Sequence, residues 1–537
     1  MLRPFLPKSP PPSSAASSEP PSLLLSLLRR CGDLKRLCQT HGFMVPRGLD
    51  RDNVLLGHFI GRCFSLGLPD YAMAVFARNP RPDLHLYNGV IRALPDAGSA
   101  ERAVRLFDGI RASGLRPDSY SLPFALRAAI RLSAIGVGRQ IHCESVVIGL
   151  ESDAHVATAL VRMYCSCGCI SDARKLFDAL NSGPAALWDA MIAGYAKAGC
   201  LESARELFER MPERNLISWT ALIGGYAQWN RPSEAIEVFK RMLLEGVEPD
   251  EVSMLAVLSA CAQLGTLALG EWIDSYIDRR GLNRTVQLNN ALIDMFAKSG
   301  NIRKALRVFE GMMERSVVSW TTMIAGLAIH GMGREALQMF SRMERGRIKP
   351  NEITFTAVLS ACSHSGMVKL GRGFFTAMPS RYGIKPRIEQ YGCMVDLLGR
   401  SGHLQEAERL VNSMPFEVNA TIWGSLLAAS NIYGDPDLGE QALQHLMRLE
   451  PENSGNFSLL SNIYAGLGRW NESGSIRKVM RTIGTEKMPG KSSIELNDQV
   501  HEFAAEDLAN HPVDVINEVL RTINGLMRAD GGPDEFT

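Results

Sequence analysis

The feature that most constrains this chain is a stretch repeated at a fixed offset. Residues 216–250 read LISWTALIGGYAQWNRPSEAIEVFKRMLLEGVEPD, and residues 317–351 read VVSWTTMIAGLAIHGMGREALQMFSRMERGRIKPN. Each is 35 residues long and carries two helical patterns. Trp219, Leu222, Ile223 and Tyr226 fall at i, i+3, i+4 and i+7, and so do Ala235, Val238, Phe239 and Met242. Trp320, Met323, Ile324 and Leu327 repeat the first set; Ala336, Met339, Phe340 and Met343 repeat the second. Each set makes one apolar stripe on a helix. Gly246 and Pro249 stop the second helix. The spacing predicts a helical hairpin whose stripes need neighbours of the same kind.

The offset between the two stretches is 101 residues, and it recurs. It links AVLSACAQLG at 256–265 with AVLSACSHSG at 357–366, and DAMIAGYAKAG at 189–199 with NALIDMFAKSG at 290–300. A period of 101 divides into hairpins of 35, 35 and 31 residues used in rotation. Repetition on this scale predicts a solenoid, in which each hairpin buries its apolar face against the next.

Hairpins carrying SWTALIGGY, EAIEVFKRM and a closing GVEPD resemble pentatricopeptide repeats. The rotation of lengths resembles the PLS subfamily of plants. There a P-type repeat ends in KPD or EPD, an L-type repeat carries LSAC and an S-type repeat carries MYAKCG. The resemblance implies an all-α, right-handed superhelical solenoid of helix-turn-helix repeats with a small C-terminal extension. Repeat-like helices at 23–52 are degenerate, and the P, L and S array runs over 53–419. Its members are 53–83, 84–118, 119–153, 154–184, 185–215, 216–250, 251–285, 286–316, 317–351, 352–387 and 388–419. Residues 420–487 resemble two E-type repeats. Residues 488–537, opening with PGKSSIELNDQVHEF, resemble the E+ extension. There Ile494, Leu496, Val500 and Phe503 alternate around Asn497-Asp498, a hairpin signal. Ile516, Val519, Leu520 and Ile523 then mark one face of a final helix.

Residues 1–22 are rich in Pro and Ser and hold no acid before Glu19. They look like an organellar transit peptide, with Met1-Leu2-Arg3 and Arg29-Arg30 favouring the mitochondrion over the chloroplast. Apolar residues make up 46% of the chain, as in a folded soluble protein. No run approaches the length of a membrane span, so no membrane insertion is expected. The net charge of +1 argues against a chain that binds phosphate without regard to sequence. Eleven cysteines are dispersed, several at repeated helix positions such as Cys261 and Cys362. Cys165, Cys167 and Cys169 diverge around a helix and lack the spacing of a zinc site.

Repeats of this family read single-stranded RNA one base at a time with two or three side chains. In the family these are the fifth and last residues of each repeat. Carried over, Asn88 with Asp118 implies U, Thr220 with Asp250 implies G, Asn290 with Ser316 implies C, and Thr321 with Asn351 implies A. The family runs parallel to its RNA, so the implied target is U-x-x-x-G-x-C-A-x-x-x-x-x-C, with the last C edited. Pro123, Leu255 and Thr356 in the L-type repeats imply little, and Thr158 with Pro184 and Asp189 with Asn215 leave their bases open. Asp, Asn, Ser and Thr at these places also suit helix caps and turns.

Editing enzymes of the family end in a zinc deaminase with H-x-E and P-C-x-x-C. No P-C-x-x-C occurs here, and the one H-x-E, His142-Cys143-Glu144, lies inside a repeat helix. The resemblance therefore implies a chain with no catalytic centre, cofactor or metal of its own. It would direct C-to-U editing by recruiting a deaminase-bearing partner through the E/E+ region. Two alternatives stay open: a splicing, stability or translation factor for organellar RNA, and a tetratricopeptide-like scaffold for peptides. Trp219, Leu222, Tyr226, Ala235 and Phe239 match the tetratricopeptide spacing, whereas Ile223 stands where that motif has Gly.

Overall fold

The computed structural model describes residues 25, 26, 28, 30–180, 183–482, 491–496 and 499–504. The segment 1–22 and the apolar face at Ile516, Val519, Leu520 and Ile523 lie outside these residues. Two compact bodies divide the chain, Met1–Ala256 and Val257–Thr537. In the first, the helix Leu34–Met44 precedes six hairpins, from Asn53–Ser65 with Pro69–Phe76 to Leu216–Gln228 with Pro232–Leu244. In the second, six hairpins run from Val286–Lys298 with Ile302–Gly311 to Ser454–Gly466 with Trp470–Thr482. In each body the first helices of consecutive hairpins pack side by side, and each second helix packs on its own first helix. Most second helices also touch the first helix of the next hairpin. Among the described residues no helix is long and apolar enough to cross a membrane.

The stripes found in the sequence are the buried faces. Trp219, Leu222, Ile223, Tyr226, Ala235, Phe239 and Met242 are all within 1% of full burial. The joint between repeats is aromatic and is itself repeated at the 101-residue offset. Phe208 meets Trp219 edge-on at 4.6 Å, and Phe309 meets Trp320 at 4.9 Å. Arg214 lies over the Phe208 ring and Arg315 over Phe309, with their Nε atoms donating to the Phe208 and Phe309 carbonyls at 3.2 and 3.0 Å. Arg241 and Arg342 cover Trp219 and Trp320 and form ion pairs with Glu209 and Glu310. A second staple closes the other end of the first helices. Trp229 Nε1 donates to the Ala196 carbonyl at 2.9 Å, His330 Nε2 to Ala297 at 2.7 Å, and Tyr433 Oη to Arg400 at 2.7 Å. Each bond adds a side-chain donor to a carbonyl near the end of a helix, where Ala196 O and Ala297 O also accept from Gly199 N and Gly300 N.

The turn inside most hairpins is made by a glycine in the left-handed region, such as Gly98 (φ 72) and Gly199 (φ 79); Ser133 and Asn230 make the same turn with side chains. The C-terminal alternation folds as expected: Lys491–Leu496 pairs antiparallel with Gln499–Ala504, from Leu496 opposite Gln499 to Lys491 opposite Ala504.

A Cβ at Gly199 would stand 2.9 Å from the Trp229 ring, whereas one at Gly98 would meet open space. Both substitutions to Ala carry the cost of a left-handed residue, more than about 1 kcal/mol, and only Gly199→Ala adds a clash with a staple. Thermal melts should therefore rank Gly199→Ala as clearly less stable than Gly98→Ala. Equal midpoints would contradict the packing described here.

Candidate functional site

The last residue of most repeats is the N-cap of the next first helix. Asp83 accepts from Leu86 N at 2.8 Å, Asp153 from His155 N at 2.9 Å, Asn215 from Ile217 N at 2.8 Å, Ser316 from Ser319 N at 3.3 Å, and Asn351 from Thr354 N at 2.9 Å. Each such cap is worth roughly 1 kcal/mol. The fifth residue lies one turn into the first helix alongside. Fifth and last residues of one repeat are thus neighbours because consecutive first helices are neighbours.

The structure brings two of the four expected pairs into hydrogen-bonded contact. Asn88 Nδ2 donates to Asp118 Oδ1 at 3.2 Å. Thr321 Oγ1 bonds Thr354 Oγ1 at 2.8 Å, and Thr354 Oγ1 donates to Asn351 Oδ1 at 2.9 Å, so a shared hydroxyl links that pair. No hydrogen bond among the described residues links Thr220 with Asp250 or Asn290 with Ser316. A pair that the sequence left open joins the first two: Asn215 Nδ2 donates to Asp189 Oδ2 at 3.0 Å, the mirror arrangement of Asn88 and Asp118.

In Asp118, Asp250 and Asn351 one side-chain atom holds the helix N-terminus and another is left over. Asp118 Oδ1 accepts from Asn88, from Ser121 N and Oγ and from Tyr120 N; among the described residues no donor reaches Oδ2. Burial pushes its carboxyl up, but the Ser121, Tyr120 and Asn88 hydrogen bonds outweigh that and hold it below its ordinary value. Asp250 likewise caps through Oδ1, to Ser253 N at 2.9 Å. Asn351 accepts through Oδ1, which leaves its Nδ2 as a donor with no acceptor among the described residues. At the fifth positions, Asn88 Oδ1, Asp189 Oδ1, Thr220 Oγ1 and Asn290 Oδ1 are buried without a hydrogen-bond partner. Burial also raises the Asp189 carboxyl, against opposing pulls from Asn215 and Arg162. Two other fifth residues are engaged by the protein: Thr158 Oγ1 donates to Ala154 O at 2.7 Å, and Thr356 Oγ1 accepts from Gln390 Nε2 of the next repeat at 2.7 Å.

Sequence reasoning missed the second residue of each repeat. It lies three residues before the fifth and so on the same helix face. Val54, Ile217, Val318 and Ile353 stand there, 57–66% exposed, as do Tyr120 and Val252. Their register with the fifth positions is visible in a cavity of about 160 Å³, where Val54 and His85 (second residues) adjoin Gly57 (a fifth residue). Tyr120 and His155, second residues of consecutive repeats, face each other with ring centroids 6.3 Å apart. The signal was present: an apolar residue outside the buried stripe, recurring at 217 and 318 and at 252 and 353.

The H-x-E residues tie their helix to its neighbours. His142 Nδ1 bonds Tyr164 Oη at 2.8 Å, and Glu144 pairs with Arg111 at 3.3 Å. Cys165 packs where a Cβ on Gly194 would be, and burial pushes its thiol up to about 11. Among the described residues no cluster of His, Cys, Asp or Glu is placed to hold a metal.

Comparison with known proteins agrees with this architecture. A sequence model of the PPR repeat family matches residues 214–263 and 315–364, and one of the single PPR repeat matches 156–182, 186–216, 290–317, 353–382 and 391–416. The E motif matches 433–495. Pentatricopeptide repeat-containing protein At5g56310 of Arabidopsis thaliana is 53% identical over 499 residues, covering 92% of this chain and 94% of the relative. Two further Arabidopsis thaliana proteins, At2g22410, mitochondrial, and At1g08070, chloroplastic, are 39% and 36% identical; they cover 94% and 90% of this chain and 74% and 80% of their own lengths. Among solved structures, the pentatricopeptide repeat protein PPR10 in complex with an 18-nt psaJ RNA element aligns with a TM-score of 0.44 at 20% identity, over 86% of this chain and 74% of that one. On its repeats, its E motif and a relative 53% identical that it matches over nearly the whole length, the chain belongs to the pentatricopeptide repeat family.

Proposed function

We propose that this protein binds single-stranded organellar RNA in register with its repeats and directs C-to-U editing by recruiting a deaminase-bearing partner. The observation that carries the first part is the set of polar atoms at fifth and last positions that have no partner among the described residues. Asn351 offers an amide donor, which suits the N1 acceptor of adenine. Asp250 offers a carboxylate oxygen, which suits the N1–H and amino donors of guanine. Asp118 offers an acceptor to the N3–H of uracil, and the unpartnered Asn290 Oδ1 suits the amino group of cytosine. A cap alone requires only one of these atoms. The exposed Val, Ile and Tyr at the second positions supply apolar surfaces against which base faces stack.

The editing part is supported by the E motif and by an exposed apolar surface in the same region. Ile432, Tyr433, Leu467 and Trp470 are open to solvent there, Trp470 to 70%. Exposed aromatic side chains of this kind are typical anchors of a protein interface. The relatives named mitochondrial and chloroplastic support action in an organelle, and the character of residues 1–22 favours the mitochondrion.

One substitution tests base reading. Asn351→Asp keeps the Oδ1 cap on Thr354 and replaces the free amide donor by an acceptor. Preference at the base read by the 317–351 repeat should move from A towards G, by about 1–3 kcal/mol, in titrations at fixed salt. A variant that binds both RNAs as the wild type does contradicts the reading and leaves Asn351 as a cap only.

Deletion of residues 488–537 tests recruitment. The truncated protein should keep nearly all of its RNA affinity and lose editing in a null mutant. Restored editing would remove that segment from the recruiting surface.

A further inference from the structure

The net charge of +1 conceals a local pattern. Three consecutive repeats carry arginine at the ninth position: Arg92, Arg127 and Arg162, spaced 35 residues apart. Elsewhere in 53–419 that position holds Gly, Ala or Ser, except for Asp294 and Asp396. The ninth residue follows the fifth by four and so shares its helix face. The cavities place it there too. Arg92 lines the 160 Å³ cavity with Val54 and Gly57. Arg127 and Arg162 line one of about 560 Å³ with Pro123, Thr158 and His155, which are fifth and second residues.

Two of the three arginines are uncommitted: neither Arg92 nor Arg162 forms an ion pair or side-chain hydrogen bond among the described residues. Arg127 pairs with Asp96, but Asp96 is shared with Arg131 at 3.7 Å, so that cluster keeps an excess positive charge. Arg162 favours the ionised form of Asp189 across space, behind the effects of burial and of Asn215. Two of these repeats also lack a base-reading pair. Pro123 has no polar side-chain atom, Thr158 spends its hydroxyl on Ala154 O, and Pro184 cannot hydrogen-bond through its side chain.

We infer that Arg92, Arg127 and Arg162 form a phosphate-gripping row that anchors the RNA backbone, and that repeats 119–153 and 154–184 hold their nucleotides without selecting the base. This rests on the RNA-binding function proposed above. One nucleotide per repeat brings one phosphate per repeat, which matches one arginine per repeat. The larger cavity, walled by Pro123, Phe124, Ile130 and Ala186, takes a base by apolar contact whatever its edge.

The test uses the full chain and a single strand carrying U-x-x-x-G-x-C-A. The variant with Arg92→Gln, Arg127→Gln and Arg162→Gln should lower the slope of log affinity against log salt by about 2, at roughly 0.7 per phosphate contact. The matching triple Arg→Lys variant keeps the charge and should keep the slope, which separates charge from packing. Neutral methylphosphonate linkages between the U and the G should weaken wild-type binding and leave the Gln variant unaffected. The same linkages placed 3′ of the A should weaken both proteins alike. An unchanged slope in a helical Gln variant that binds RNA overturns the arginine row alone, as does equal sensitivity of both proteins to linkages between the U and the G. A wild-type chain that binds no RNA overturns the proposed function and this inference with it.

Discussion

The rest of the structure depends on the aromatic joint between consecutive hairpins. Phe208 against Trp219, and Phe309 against Trp320, fix the angle at which one repeat meets the next. Such pairs add about 0.5–1.5 kcal/mol beyond the area they bury. Truncating a buried Trp costs about 3–5 kcal/mol, a large share of a protein's net stability. The joint is not only apolar. Arg241 and Arg342 lie over the two indoles and reach back to Glu209 and Glu310 on the preceding repeat. The ion pairs are half-exposed and contribute little by themselves; their value is that a guanidinium held on both sides keeps water from the ring. Since each joint contacts only its two repeats, the first helices are set side by side one step at a time, and every fifth residue comes to lie beside a last residue.

That placement leaves Asn351 and Asp250 with one side-chain atom in a helix cap and one atom over. Asn351 Oδ1 and Asp250 Oδ1 hold helix N-termini, and the remaining atom of each side chain is a donor in one case and an acceptor in the other. A helix end requires an acceptor, and Asn, Asp and Ser all provide one, so exchange among them leaves the fold standing. What changes is the atom left over. The proposed readout is therefore encoded where the fold is indifferent.

The hairpins, their stripes and the C-terminal strand pair were legible in the sequence because burial imposes a period. Trp219, Leu222, Ile223 and Tyr226 occupy consecutive rungs of one helix face, and nothing but a helix puts them together. The partners at the site were less legible. That Asp189 and Asn215 bond to each other follows from two helices lying side by side, and neither residue announces it. The role of Thr354 in linking Thr321 to Asn351 was invisible for the same reason: a third residue, from the next repeat, completes the pair. The exposed second-position residues escaped because apolar side chains were sought on the buried face. The arginine row escaped because a net charge sums over the whole chain and hides where the charges stand.

The central claim is that the unpartnered polar atoms at fifth and last positions select bases in the order of the repeats. Selection of bound RNA from a random single-stranded pool, followed by sequencing, tests it without assuming any target. The account predicts enrichment of U, G, C and A at the spacing U-x-x-x-G-x-C-A, with free variation at the positions taken by repeats 119–153 and 154–184. Enrichment without that spacing, or binding with no base preference at those four positions, would contradict it.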